Sequence, residues 1–152
     1  MTNINIKNNR KENLRKIGNL YSKIKNINFD KCFYCNDPRS CLDHAPPLSV
    51  AINLDLEKFH KSNEKLLLIP ACDLCNNMLS NLPYSNPVDR LGILIKKYTN
   101  RINKFSDKSW DEDEIEELGY NLKIIVNARE NILDNYKRKL NSIMDKFVSL
   151  DQ

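Results

Sequence analysis

Apolar residues recur along this chain at helical spacing in two long flanks, and a middle stretch breaks the rhythm. Leu14, Ile17, Tyr21 and Ile24, with Leu20 and Ile27 offset, predict an amphipathic helix over residues 10–26. After Pro87, the stripe Leu91, Leu94, Ile95, Tyr98, Ile102 and Phe105 predicts a second helix. From Ile115 onward, Leu118, Leu122, Ile125, Ile132, Tyr136, Leu140, Ile143 and Phe147 return about every 3.5 residues, with Arg129 interrupting the stripe. Ser109-Trp110-Asp111-Glu112 reads as a capping box at the start of this last helix, with Trp110 as a packing residue and Gly119 as the expected bend. In the middle, Cys41–His44 predicts a short strand ending at Pro46-Pro47. Leu66–Ile69 predicts a buried strand ending at Pro70, and a helix starts near Cys72 and carries Cys75, Asn76 and Leu79. Residues 54–60 fit one short helical turn.

All six prolines, both histidines and all five cysteines lie between Cys32 and Pro87. Proline ends helices, so the middle is expected to be a loop-rich module between helical flanks. The expected architecture is an α+β chain, mostly helical, with a basic helix over 1–28, a module over 29–87 and a helical region over 88–152. Within the module, Cys32-Phe33-Tyr34-Cys35 and Cys72-Asp73-Leu74-Cys75 are paired CxxC turns. Two such turns brought together supply four thiolates in the tetrahedral arrangement that a structural Zn²⁺ prefers. Strand, strand and helix in that order, with the second CxxC at the strand-to-helix junction, predict a ββα unit built on a treble-clef zinc knuckle.

At 152 residues the chain can bury a core without disulfides, and its cysteine pattern suits a reducing, cytoplasmic setting. No stretch approaches the ~18 uninterrupted apolar residues of a membrane span, so no membrane partner is expected. The net charge of +4 is mild, but residues 1–31 hold eight basic side chains against Glu12 and Asp30. That face, and the cluster Lys96, Lys97, Arg101 and Lys104, reads first as solvated helix surface; contact with phosphates is the sharper reading.

The runs CFYC, LDHAPP and LLLIPACDLCNN together resemble the zinc-containing HNH endonucleases, small bacterial and phage members in particular, over about a third of the chain. The resemblance implies metal-dependent hydrolysis of phosphodiester bonds in DNA. It implies His44 as the general base, and Asp43 and Asn76 as ligands of a catalytic Mg²⁺ or other divalent ion. Cys32, Cys35, Cys72 and Cys75 would hold the structural zinc. Many members place an Asn just before the second strand; Lys65 stands there in this chain, with Asn63 two residues upstream, which implies a weakened catalyst. Neighbouring strand residues point to opposite faces, so Asp43 and His44 divide ligand and base roles only if the strand bends.

The competing reading is a zinc module that keeps the fold and binds nucleic acid or a protein partner without turnover. In it, Asp43 and His44 are ordinary structural residues and Asn76 serves the helix start. Cys41 reads as a small buried side chain and His60 as a surface histidine. A straight helix over 111–148 would be ~57 Å long, against a radius of gyration of ~15 Å for a compact chain of this size. It is therefore expected either to break near Gly119 and fold back, or to pair with a second copy as a homodimer.

Overall fold

The structure, a computed structural model, describes residues 2–106 and 110–150, with side chains described from Asn9 onward. It is α+β and mostly helical. Helix α1 (Thr2–Gly18) leads to a two-residue strand β1 (Ser22–Lys23), followed by β2 (Cys41–Ala45), α2 (Leu48–Ala51), α3 (Leu56–Lys61), β3 (Leu67–Ala71) and α4 (Asp73–Leu79). Helices α5 (Pro87–Ser106), α6 (Glu112–Glu117) and α7 (Tyr120–Leu150) complete the chain. No helix among the described residues is long and apolar enough to cross a membrane. The chain divides into two compact units, one through Arg90 and one from Leu91.

In the first unit the sheet has the order β1-β3-β2, with β1 parallel and β2 antiparallel to β3. β3 runs through Pro70 to Ala71, two residues beyond Ile69, where the strand was expected to end. β1 pairs only with Leu67 and Leu68. Pro70 therefore sits past its reach, where a missing N–H breaks no ladder bond on that side. The first helix ends at Gly18, short of the expected residue 26, because the sheet captures the chain. Ser22 N donates to Leu66 O at 3.0 Å and Ile24 N to Leu68 O at 3.1 Å. Tyr21, predicted on a helical stripe, instead enters a core with Ala51, Phe59 and Leu66, against which Ile17 of α1 and Leu68 of β3 pack. Leu20 is left exposed. The short helical turn expected over 54–60 is α3, capped by Asp55, whose side chain accepts from Glu57 N and Lys58 N; α2, before it, lies outside that expectation.

In the second unit α5 and α7 run antiparallel. A Cβ placed on Gly92 would lie 3.9 Å from Phe147, Tyr98 and Tyr136 meet edge to face at 5.9 Å, and Arg129 donates to the Phe105 carbonyl at 2.7 Å. The expected bend at Gly119 is present: Leu118 is extended, and α7 begins at Tyr120. The capping box forms two residues later than expected. Asp111 accepts from Glu114 N at 2.7 Å, and Glu114 accepts from Asp111 N at 3.0 Å; Ser109 lies outside the described residues. Trp110, expected to pack at this helix start, is 42% exposed, because the cap shift leaves it outside the first turn.

Candidate metal centre and the strand of Asp43 and His44

The first CxxC forms a tight knuckle. Cys32 N donates to Asp37 O at 2.6 Å, Asn36 N returns to Cys32 O at 3.0 Å, and Lys31 bridges Pro38. Asn36 closes the turn at φ 63°, a left-handed conformation that asparagine adopts more readily than most residues. The knuckle is tied to β3 by Phe33 N donating to Pro70 O at 2.8 Å, two residues before Cys72. The start of α4 is anchored in turn: Ser40 N donates to Ala71 O at 3.0 Å, and Asp73 N to Ser40 Oγ at 2.9 Å. The two CxxC turns thereby converge.

The sulfurs of Cys32, Cys35, Cys72 and Cys75 all lie within 4.8 Å of one another, and all four residues are buried. A tetrahedral Zn²⁺ with bonds of ~2.3 Å spaces its sulfurs by about 3.8 Å. The Cys35 and Cys72 sulfurs stand 3.7 Å apart, so this donor set is compatible with structural zinc. Cys41 is half-buried, with its thiol 3.4 Å from the Ala71 carbonyl, and is not one of the four.

β2 is regular through the pair of interest, with Asp43 opposite Ile69 and His44 opposite Leu68. The strand does not bend between them, and their side chains take opposite faces of the sheet. His44 lies on the Tyr21 side, its ring 4.9 Å from that of Tyr21 and nearly perpendicular to it. Tyr21 is itself fixed by a hydrogen bond from its hydroxyl to the Pro46 carbonyl. Burial lowers the His44 pKa below the ordinary imidazole value, against an opposing pull from the Asp43 charge. His44 is therefore a half-buried imidazole that is neutral at neutral pH.

Asp43 has a different environment. It is 2% exposed, and Arg90 grips it with two N–H groups: Nη2 to Oδ1 at 2.5 Å and Nε to Oδ2 at 3.0 Å. The Tyr34 hydroxyl donates to Oδ2 at 2.5 Å, and Arg90 Nη1 donates to the Tyr84 carbonyl at 2.7 Å. Burial, and then the Asp43 charge, push the Tyr34 pKa well above the usual phenol value, so it remains a donor. The expectation of an open Asp43 carboxylate for a divalent ion meets a carboxylate whose two oxygens are already taken. The physical cause is its burial: a carboxylate removed from water must be neutralised and hydrogen-bonded.

Neither Arg90 nor Tyr34 was singled out from the sequence. A carboxylate on a buried strand position requires a cation, but nothing in the spacing selects Arg90, 47 positions away, from 24 lysines and arginines.

Asn76 lies in the first turns of α4, half-buried, and its side-chain amide has no hydrogen-bond partner among the described residues. It does not cap that helix, whose N-cap is Cys72. Lys65 and Asn63 are both exposed on a cavity of about 220 Å³, which they share with Glu64, Leu67, Ser85, Asn86 and Pro87. Asn63 is at φ 62°. His60 is on the surface, as expected. No protein-family model, curated protein or solved structure matches this chain.

Proposed function

We propose that this chain is a metal-dependent endonuclease of the HNH type, hydrolysing phosphodiester bonds in DNA, with a Zn²⁺ on Cys32, Cys35, Cys72 and Cys75 as a structural staple. The observation that carries the reading is a neutral, half-buried His44 on a hairpin strand whose partner strand leads into a cysteine-stapled helix bearing Asn76. The edge of the Tyr21 ring restricts the imidazole, and burial keeps its lone pair available.

In this reading the unprotonated nitrogen of His44 takes the proton of an attacking water. The new P–O bond forms as the bond to the 3′ oxygen breaks, and that oxygen leaves with its electron pair. A divalent ion supplies charge relief on the phosphate and leaving oxygens when bound, and the side-chain amide of Asn76, which bonds to none of the described residues, has an oxygen to offer it. Asp43, as held by Arg90 and Tyr34, does not fit as a ligand and is a positioning residue: its anchor fixes the strand that carries His44. Lys65 in place of the usual Asn points to a slow enzyme, and Lys65→Asn is expected to raise its rate.

The test is nicking of supercoiled plasmid in Mg²⁺ or Mn²⁺ by the purified full chain. Cleavage that chelator abolishes and His44→Ala removes supports the reading. A second reading, a zinc module that binds nucleic acid or protein without turnover, is favoured by the sealed Asp43–Arg90 pair. It is the one left standing if the wild type cuts no single-stranded, double-stranded or branched DNA in any divalent metal.

A further inference from the structure

The α5–α7 hairpin holds a cleft of about 660 Å³ lined by Arg101, Lys104, Phe105, Arg129 and Tyr136. This volume is within the ~300–1,000 Å³ range of ligand pockets. Among the described residues that line it, three of five are cations and none is an acid. No carboxylate pairs with Arg101, Lys104 or Arg129 among the described residues.

The aromatic rings act as supports for the guanidinium groups. Arg101 lies 5.8 Å from the Tyr136 ring centre and donates to its hydroxyl at 3.2 Å. Arg129 lies 5.5 Å from the Phe105 ring centre and donates to the Phe105 carbonyl at 2.7 Å. Both distances are within cation–π range. Toward the described residues each arginine thus commits one N–H, of the five that a guanidinium carries. Holding like charges together around one cleft is unfavourable unless an anion enters, and the fork of an arginine matches the oxygens of a phosphate.

A polyanion fits better than a single compact anion. Lys96, Lys97, Arg101 and Lys104 follow one another along α5, whose one acidic residue, Asp89, is at the other end. Lys97, Arg101 and Lys104 share a helix face spanning about 10 Å at 1.5 Å per residue. We infer that this cleft binds the phosphodiester backbone of a nucleic acid, with Arg101 and Arg129 as its paired phosphate ligands and Lys104 at its edge. The site goes beyond the nuclease reading, because it stands whether or not His44 cuts.

The experiment is fluorescence anisotropy of labelled single-stranded and duplex oligonucleotides with the full chain, in chelator so that no cleavage occurs, from 50 to 200 mM salt. Arg101→Gln/Arg129→Gln is expected to weaken binding at least tenfold at low salt. It should also flatten the slope of log K against log salt by ~1.4 to 1.8, the share of two lost phosphate contacts. Arg101→Lys/Arg129→Lys should restore the slope, because the charges return. Lys104→Gln, on an exposed position, should flatten the slope by about 0.7 to 0.9 without threatening the fold. An unchanged slope in a glutamine variant that retains the wild-type circular dichroism overturns the inference. So does full displacement of the oligonucleotide by inorganic phosphate at matched ionic strength, which would identify a small-anion site. Wild type that binds with these slopes yet never cuts removes the nuclease reading and leaves this site in place.

Discussion

Arg90 is 0% exposed, and its guanidinium is the only cation paired with Asp43 among the described residues. Removing one member of such a pair strands a charge in the interior, whereas replacing both by apolar groups of similar volume is often nearly neutral. Arg90→Ala is therefore expected to cost about 3–5 kcal/mol in denaturant unfolding, and Asp43→Leu/Arg90→Met clearly less. A loss below ~1 kcal/mol for Arg90→Ala would mean the pair is not closed in solution. His44 yields a prediction of a different kind. Its folded pKa is depressed by burial, so the unfolded chain binds the proton more readily. Stability contributed by neutral His44 is thus present above the unfolded value of ~6.5 and is lost as the pH falls below it toward the folded pKa. The stability of wild type relative to His44→Gln should decrease from pH 8 to pH 5; a difference independent of pH would contradict the burial of this ring. Asp43 and His44 could be picked out from the sequence as an acid-imidazole pair on a short strand. Their separation onto two faces follows from strand alternation, but the Arg90 and Tyr34 partners come from tertiary packing that no local pattern encodes.

Among the elements, the convergence of two CxxC turns explains how a three-stranded sheet, one strand of which has two residues, holds its shape. In zinc-stapled modules the binding energy is folding energy, with apparent values of ~10–16 kcal/mol in small finger peptides. One zinc per chain is expected by elemental analysis. Cys72→Ser, or prolonged chelation, should lower the melting temperature and release protection of β3 amides in hydrogen exchange. Cys41→Ser, outside the cluster, should keep the metal. A Cys72→Ser variant that melts like wild type would remove the staple from the account. The helices of the C-terminal region and the order β2, β3, α4 were readable from periodicity and from proline placement. β1 was not, because Tyr21 and Ile24 continue a helical rhythm from Ile17, and the pairing of Ser22 and Ile24 with β3 overrides that local preference.

For the whole molecule, the break at Gly119 and the antiparallel pairing of α5 with α7 cover Leu133, Tyr136, Leu140, Ile143 and Phe147 of α7 within one chain, while Ile132, expected on the same stripe, stays exposed and Leu133 is buried in its place. Light scattering is therefore expected to give the mass of one chain at micromolar concentration. A mass of two chains would instead assign the exposed Leu122 and Ile125, which precede the point where α7 meets the end of α5, to an interface between copies. The central claim concerns chemistry, and it rests on His44 acting on a water while the rest of the fold holds the site in place. A general base contributes about 10²- to 10⁴-fold to turnover and little to binding. The most direct test is the single-turnover cleavage rate of labelled DNA at saturating protein in Mn²⁺, wild type against His44→Ala with zinc content matched. The account predicts measurable cleavage that falls by about 10²- to 10⁴-fold in the variant; a wild type that leaves the DNA intact, or a variant that cuts as fast, would contradict it.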